Sequence, residues 1–206
     1  MPLTIEVSDF KQGRIKIAEA VREIRGSLSL ARFNQALVPA LDDYGLLDLD
    51  PRVQQNLAGT ILNRRTGNLA ARTRVTKATV TGQQVSITIQ TNGIPYGLIH
   101  ETGGTIVPKT KQFLTIPLPG ALTASGVLRK SAAELQQNPS PFDTTFIHDG
   151  TIIGDRNDRL TPLFILRKRV EIPQRRWASS AVDDTINLLL KRIQDRVDDV
   201  LRGGRR

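Results

Sequence analysis

Residues 177–201 read WASSAVDDTINLLLKRIQDRVDDVL, and this stretch decides the largest element of the chain. Trp177, Val182, Ile186, Leu189, Ile193, Val197 and Leu201 trace one apolar stripe at the helical period. Asp183, Asp184, Lys191, Arg192, Asp195 and Arg196 largely avoid that stripe. The pattern predicts a long helix whose stripe packs on a sheet. Upstream, the period changes to two. Val85, Ile87 and Ile89 alternate with Ser86, Thr88 and Gln90, which marks a half-buried strand. The Thr- and Val-rich residues 72–81 fit a partner strand, with Gly82 in the turn between them. Residues 113–118 and 163–170 read as further strands. Within 144–153, Asp149-Gly150 supplies the positive φ angles of a tight hairpin turn.

The N-terminal third is helical in pattern. Ile17, Val21, Ile24 and Leu28 share a face within residues 15–28, and the pattern runs on through Leu30, Phe33, Leu37 and Leu41. Asp50-Pro51 reads as the cap and first position of a second helix, with Val53, Leu57 and Ile61 on its apolar face. Gly67 is its expected stop. Residues 119–143 have weak periodicity and much Pro, Gly and Ser, so they read as a long loop, with a capping box at Ser131 and Glu134 for one short helix. Removing 121–139 should therefore leave the core intact. The fold class expected is α+β, with an antiparallel or mixed sheet of about four to six strands packed by N-terminal helices and a long C-terminal helix. One domain should span 1–206, with helices over about 14–65, a strand-rich middle over about 72–170 and the last helix over about 174–202.

Composition narrows the chemistry. Of 206 residues, 39% are apolar but only 4% aromatic, so the core must be built mainly of aliphatic side chains. The absence of cysteine excludes disulfides, a thiol nucleophile and sulfur-ligated zinc. Two histidines, His100 and His148, are too few for a His-rich metal site. No apolar run approaches the ~20 residues needed to cross a bilayer, and residues 1–10 lack the apolar segment of a signal peptide. The expected compartment is the cytoplasm, and no membrane partner is expected. A net charge of +9 invites a DNA-binding reading, but carboxylates are interleaved with the basic residues. Solvated faces and contacts with acidic partners account for it better. The basic tail from Arg202 to Arg206 lacks the nearby aromatics that would stack unpaired bases.

No enzymatic motif is complete. His100-Glu101 begins like a zinc-protease helix, but position 104 is Gly where the second histidine must stand. Gly103-Gly104 is not followed by the Lys-Ser or Lys-Thr of a phosphate loop and reads as a turn. There is no GxSxG elbow. Neither a catalytic residue, a metal nor a cofactor is expected.

Three stretches carry a resemblance. They are Thr66-Gly67-Asn68-Leu69, then Tyr96-Gly97-Leu98-Ile99-His100-Glu101-Thr102-Gly103-Gly104 with Pro108 and Phe113 to Pro117 beyond, and Val170-Glu171-Ile172-Pro173-Gln174-Arg175-Arg176-Trp177. In that order they resemble the phage tail-completion or virion-morphogenesis family, which includes the morphogenesis protein of Mu-type phages and relatives of the lambda-type minor tail protein Z. The resemblance covers roughly residues 50–200. Gly97 stands where the family usually has Ala, and Arg175-Arg176-Trp177 replaces its commoner Arg-Pro-Phe.

What the resemblance implies is a virion protein of the head–tail junction, assembled in the host cytoplasm: a tail-completion, terminator or neck subunit. It implies a ring of copies of itself, a hexamer or dodecamer, joined to the tail tube, terminator, connector or stopper. Genomic DNA would pass through the channel without sequence-specific binding. Thr66, Gly67, Leu69, Tyr96, His100, Glu101, Gly103, Gly104, Pro173, Arg175 and Arg176 are its assembly candidates. His100 and Glu101 are expected near a surface edge, after an extended segment. The segment 119–143 would be a contact arm.

Overall fold

The structure is a computed structural model that describes residues 3–6, 29–64, 66–81, 84–94 and 96–203. The helix expected over 15–28, the turn at Gly82 and the last three residues of the basic tail lie outside the described residues. The class is α+β, as the alternation of periods predicts. The chain forms two compact units, one of Met1–Thr102 with Arg175–Arg206, the other of Gly103–Gln174.

In the first unit, β1 (Leu3–Glu6) is followed by α1 (Leu30–Tyr44). Ser29 caps α1 by accepting from the Arg32 amide at 3.5 Å. The helix does not stop where the sequence suggests a second one starts. It widens into a π turn over Gly45–Leu49, continues as α2 (Asp50–Gln55), and widens again over Asn56–Thr60. The first widening suits Pro51, which has no amide to donate to the preceding turn. Asp50 is therefore no cap. Its carboxylate reaches sideways and accepts from the Val75 amide at 3.1 Å. Gly59, at φ 144°, ends the helical run, and Gly67 instead precedes a short helix, α3 (Asn68–Arg72).

Residues 72–81 form two strands rather than one: β2 (Thr73–Val75) and β3 (Thr79–Thr81), both antiparallel to β4 (Gln84–Thr91). The break between them is held by Asp42, which accepts from the Ala78 amide at 2.6 Å. β1 pairs with β4 in parallel, so this sheet is mixed. Val85, Ile87 and Ile89 face the core as their alternation requires.

After α4 (Tyr96–Thr102), the first unit resumes with α5 (Trp177–Gly203). Its apolar stripe is buried through Trp177, Val182, Leu189, Ile193 and Val197, while Leu201 is exposed. Its main neighbour is α1, and α1 in turn lies on β4. A long helix finds a matching apolar ridge on another helix, so the stripe meets Phe33, Leu37, Leu41 and Tyr44 as well as the sheet residues in one cluster. Charges on both rims pair: Arg52–Asp184, Arg192–Asp48 and Arg196–Asp43 at 2.6, 2.5 and 2.6 Å.

The second unit holds β5 (Gly104–Ile106), β6 (Leu114–Pro117), α6 (Ala132–Gln137), β7 (Thr144–His148), β8 (Thr151–Arg156), β9 (Arg159–Arg167) and β10 (Val170–Ile172). A four-stranded antiparallel sheet runs β6-β9-β8-β7, and β10 pairs with β5. The β7–β8 turn is the expected Asp149-Gly150, with φ 46° and 68°. A second hairpin turn at Asn157-Asp158, with φ 52° and 59°, starts β9 earlier than the reading of 163–170 allowed.

Residues 119–143 are not a structureless arm. They contain a 3-10 turn (Pro119–Ala121) and α6, whose capping box is complete in both directions. Ala121, Ala132 and Leu135 are buried against Ile152, Leu163 and Phe164 of the sheet. Phe142 lies so close over Gly154 that a methyl group there would sit 2.7 Å from its ring. The segment is therefore half of a core, contrary to the expectation that its removal would be tolerated. Its apolar residues are spaced too irregularly to show as a stripe.

Candidate functional site

The first unit contains a cleft of about 540 Å³. Part of its lining is apolar: Leu57, Leu62, Leu69 and Ala70. The rest of the lining is Asn63, Arg64, Thr66, Gly67, Asn68, Tyr96, His100 and Arg175. Residues from three separate stretches of sequence meet here because α3 and α4 are each tied to something fixed. The Thr73 hydroxyl bonds the Leu69 carbonyl at 2.7 Å, which anchors α3 to the start of β2. Gly97 lets α4 approach α3 closely, since a methyl there would stand 3.1 Å from the Leu69 side chain.

The C-terminal end of α4 is fastened to the start of α5. Glu101 is 5% exposed, and its two carboxylate oxygens accept from the Ala178 amide at 2.7 Å and the Ser179 amide at 3.0 Å. This is a helix N-cap supplied from a distant part of the chain, and it places a negative group on the positive end of a 27-residue helix. The Trp177 indole donates to the Gly97 carbonyl at 3.0 Å, and the Arg175 amide donates to the His100 carbonyl at 2.9 Å. Asn56 adds a buried tie, donating to the Trp177 carbonyl at 2.8 Å. Glu101 thus departs from its expected surface position, and residues 96–102 are helical rather than extended. The positive helix end offers the carboxylate two unpaired amides, which offset its loss of water.

His100 sits between these features. Its ring meets Tyr96 edge-on at 6.3 Å. Its Nδ1 is buried and has no hydrogen-bond partner among the described residues. Burial holds its pKa below the usual histidine value, and the Arg175 guanidinium adds to the shift. The imidazole is therefore neutral near pH 7.

Of the sequence candidates, Thr66, Gly67, Leu69, Tyr96, His100 and Arg175 line the cleft. Glu101 and Arg176 do not line it; Arg176 pairs with Asp183 at 2.8 Å. Gly103, Gly104 and Pro173 belong to the second unit. There, Gly103 at φ 71° packs so tightly that a methyl group would stand 2.8 Å from the Gln174 amide nitrogen. Arg64 and Asn63 escaped the sequence reading, and Asn68 entered it only as the third residue of Thr66-Gly67-Asn68-Leu69. Their only signal was a polar cluster around Thr66-Gly67. Asn56 was signalled by an amide side chain beside the Val53–Leu57 stripe.

Chemically, the cleft offers two cations, hydrogen-bonding amides, the hydroxyls of Thr66 and Tyr96, and no carboxylate among its lining residues. Among the described residues, no group of three or more His, Asp or Glu is placed to hold a metal, and no helix is long and apolar enough to cross a membrane. Comparison with protein-family models, with curated proteins and with solved structures finds no match in any of the three.

Proposed function

We propose that this chain is a structural subunit of a tailed-phage virion at the head–tail junction, a tail-completion, terminator or neck protein, and not a catalyst. In this reading it assembles as a ring on the tail end and connects it to the head connector, with genomic DNA passing through the channel. The observation that supports the reading is convergence. Thr66-Gly67-Asn68-Leu69, Tyr96 to Glu101 and Arg175 lie far apart in sequence, yet they surround one cleft and its adjoining helix cap. Short motifs that match a family by accident have no reason to meet in space. The convergence covers these residues, while Gly103, Gly104 and Pro173 of the same stretches belong to the second unit.

The test is direct. Virions produced from the genome that encodes this chain are purified, probed with antibody against it, and viewed by negative-stain microscopy. Label at the head-proximal end of the tail is expected, together with the chain in the virion's protein inventory. A chain missing from purified virions, or labelled along the capsid, overturns the reading. The competing role of a basic DNA-binding module separates by salt. Such a module would bind free duplex tightly and lose affinity steeply as salt rises, whereas a channel subunit binds free duplex weakly at all salt concentrations.

A further inference from the structure

We propose that the cleft between α3 and α4 is a docking site for an acidic peptide segment of a partner protein, one carrying an apolar side chain next to its carboxylate. Two guanidiniums, Arg64 and Arg175, line the cleft, and neither is paired with a carboxylate among the described residues. Arg52, Arg176, Arg192 and Arg196 of the same unit each hold an aspartate, whereas these two, like Arg32, Arg72, Arg74 and Arg202, pair with no carboxylate among the described residues, and these two share one cleft. Arginines are best satisfied by a planar carboxylate or a phosphate. The cleft's own lining contains neither Asp nor Glu.

The apolar part of the lining chooses between those anions. Leu57, Leu62, Leu69 and Ala70 face the same space as the arginines. A nucleic-acid backbone phosphate has nothing to place against these apolar side chains, and one pit does not track a repeating backbone. A peptide whose carboxylate is followed by an apolar side chain fills both halves. Asn63, Asn68 and Thr66 can bond its main chain. Charge balance chooses the source. The chain carries 29 basic against 20 acidic residues, and Asp43, Asp48, Asp183 and Asp184 are already paired. A second copy would bring the same net charge of +9 and so repel the first, and the occupant is therefore an acidic segment of another protein. The cleft would take such a segment whether or not the chain belongs to a virion, so the two readings fail separately.

The full-length protein is titrated, with amide NMR detection, with the blocked tetrapeptide acetyl-Leu-Glu-Glu-Leu-amide, its Gln-for-Glu analogue, inorganic phosphate and a short DNA duplex. The acidic peptide should shift residues 57–70, 96–100 and 175 and bind about tenfold more tightly than the Gln analogue. Arg64→Gln and Arg175→Gln should each weaken it by about fivefold or more, and the pair together should abolish it. Both side chains are exposed, so the variants should unfold at the wild-type temperature. Should one not fold, the wild-type shift map and the Gln analogue decide alone. Failure of the acidic peptide to bind, equal binding of the Gln analogue, or binding unchanged in the double variant overturns the proposal. Duplex DNA shifting the same residues more tightly than the peptide overturns it in favour of nucleic acid. Self-association in the ultracentrifuge that disappears in the double variant overturns it in favour of a second copy.

Discussion

The two units solve the same problem of aromatic poverty in different ways. The first gathers side chains from α1, α2, β4 and α5 into one cluster, then adds buried polar ties such as Tyr44 to Thr185 at 2.8 Å and Glu101 to the head of α5. The second has a buried apolar cluster of only Ala121, Ala132, Leu135, Ile152, Leu163 and Phe164, and relies on hairpins whose turns adopt positive φ. It also leaves Phe146, Ile147 and Leu160 exposed. Stability in one comes from the number of long-range apolar contacts. In the other it comes from local turn chemistry and a thin layer of packing, which is the less cooperative arrangement.

The comparison breaks first under deletion. Removing 121–139 takes away Ala121, Ala132 and Leu135, half of the second unit's buried cluster. Hydrogen exchange should show protection lost from β7, β8 and β9 and retained in α1, β4 and α5. Uniform retention would mean that the segment is not part of the core. Next in size is Phe33→Ala, at the centre of the first cluster, which should destabilise by about 3–5 kcal/mol in denaturant unfolding. Glu101→Ala should cost about 2–3 kcal/mol, because it leaves two buried amides without acceptors. Its loss should exceed that of any rim aspartate, such as Asp43→Ala, which removes a surface pair worth about 0–1 kcal/mol.

Smaller effects sharpen the contrast. Gly103→Val should destabilise by about 2 kcal/mol or more, since a positive φ and backbone atoms both oppose the side chain. Gly104→Val, at φ 149°, meets the conformational penalty and should lose about 1 kcal/mol. Thermal unfolding of the pair measures the difference. The smallest effect is in pH. His100 has a folded pKa below its unfolded value of 6.5, so the unfolded chain takes up the proton first. Its burial is harmless above that pH, becomes a penalty as pH falls through 6.5, and reaches its limit below the lowered folded value. His100→Ala should fold normally at neutral pH and lose less stability than wild type on acidification. An identical pH profile for both would remove the burial argument.

Legibility followed the range of the interactions. The helix at 177–203, the strand at 84–91 and the turn at Asp149-Gly150 were readable because period and turn type are properties of neighbouring residues. The capping box at Ser131 and Glu134 was readable for the same reason. The β8–β9 turn could have been read from Asn157-Asp158, two residue types that tolerate positive φ.

What only the tertiary structure decided involves partners distant in sequence. Asp50-Pro51 has every local mark of a helix start, yet the helix runs through it, because Val75 supplies a better use for the carboxylate and a widened turn removes the objection to proline. Glu101 has no local mark of a cap, since the helix that it caps begins at Trp177. Residues 119–143 show no stripe, because their buried side chains meet a sheet built from β8 and β9 rather than one another. The cleft is the extreme case. Sequence supplied its residue types and their order, but a site open to an anion exists only where α3 and α4 bring Arg64, His100 and Arg175 together with no carboxylate among them. Local rules set the backbone's periods and turns, and distant contacts set which polar groups are spent on the fold and which are left over for a partner.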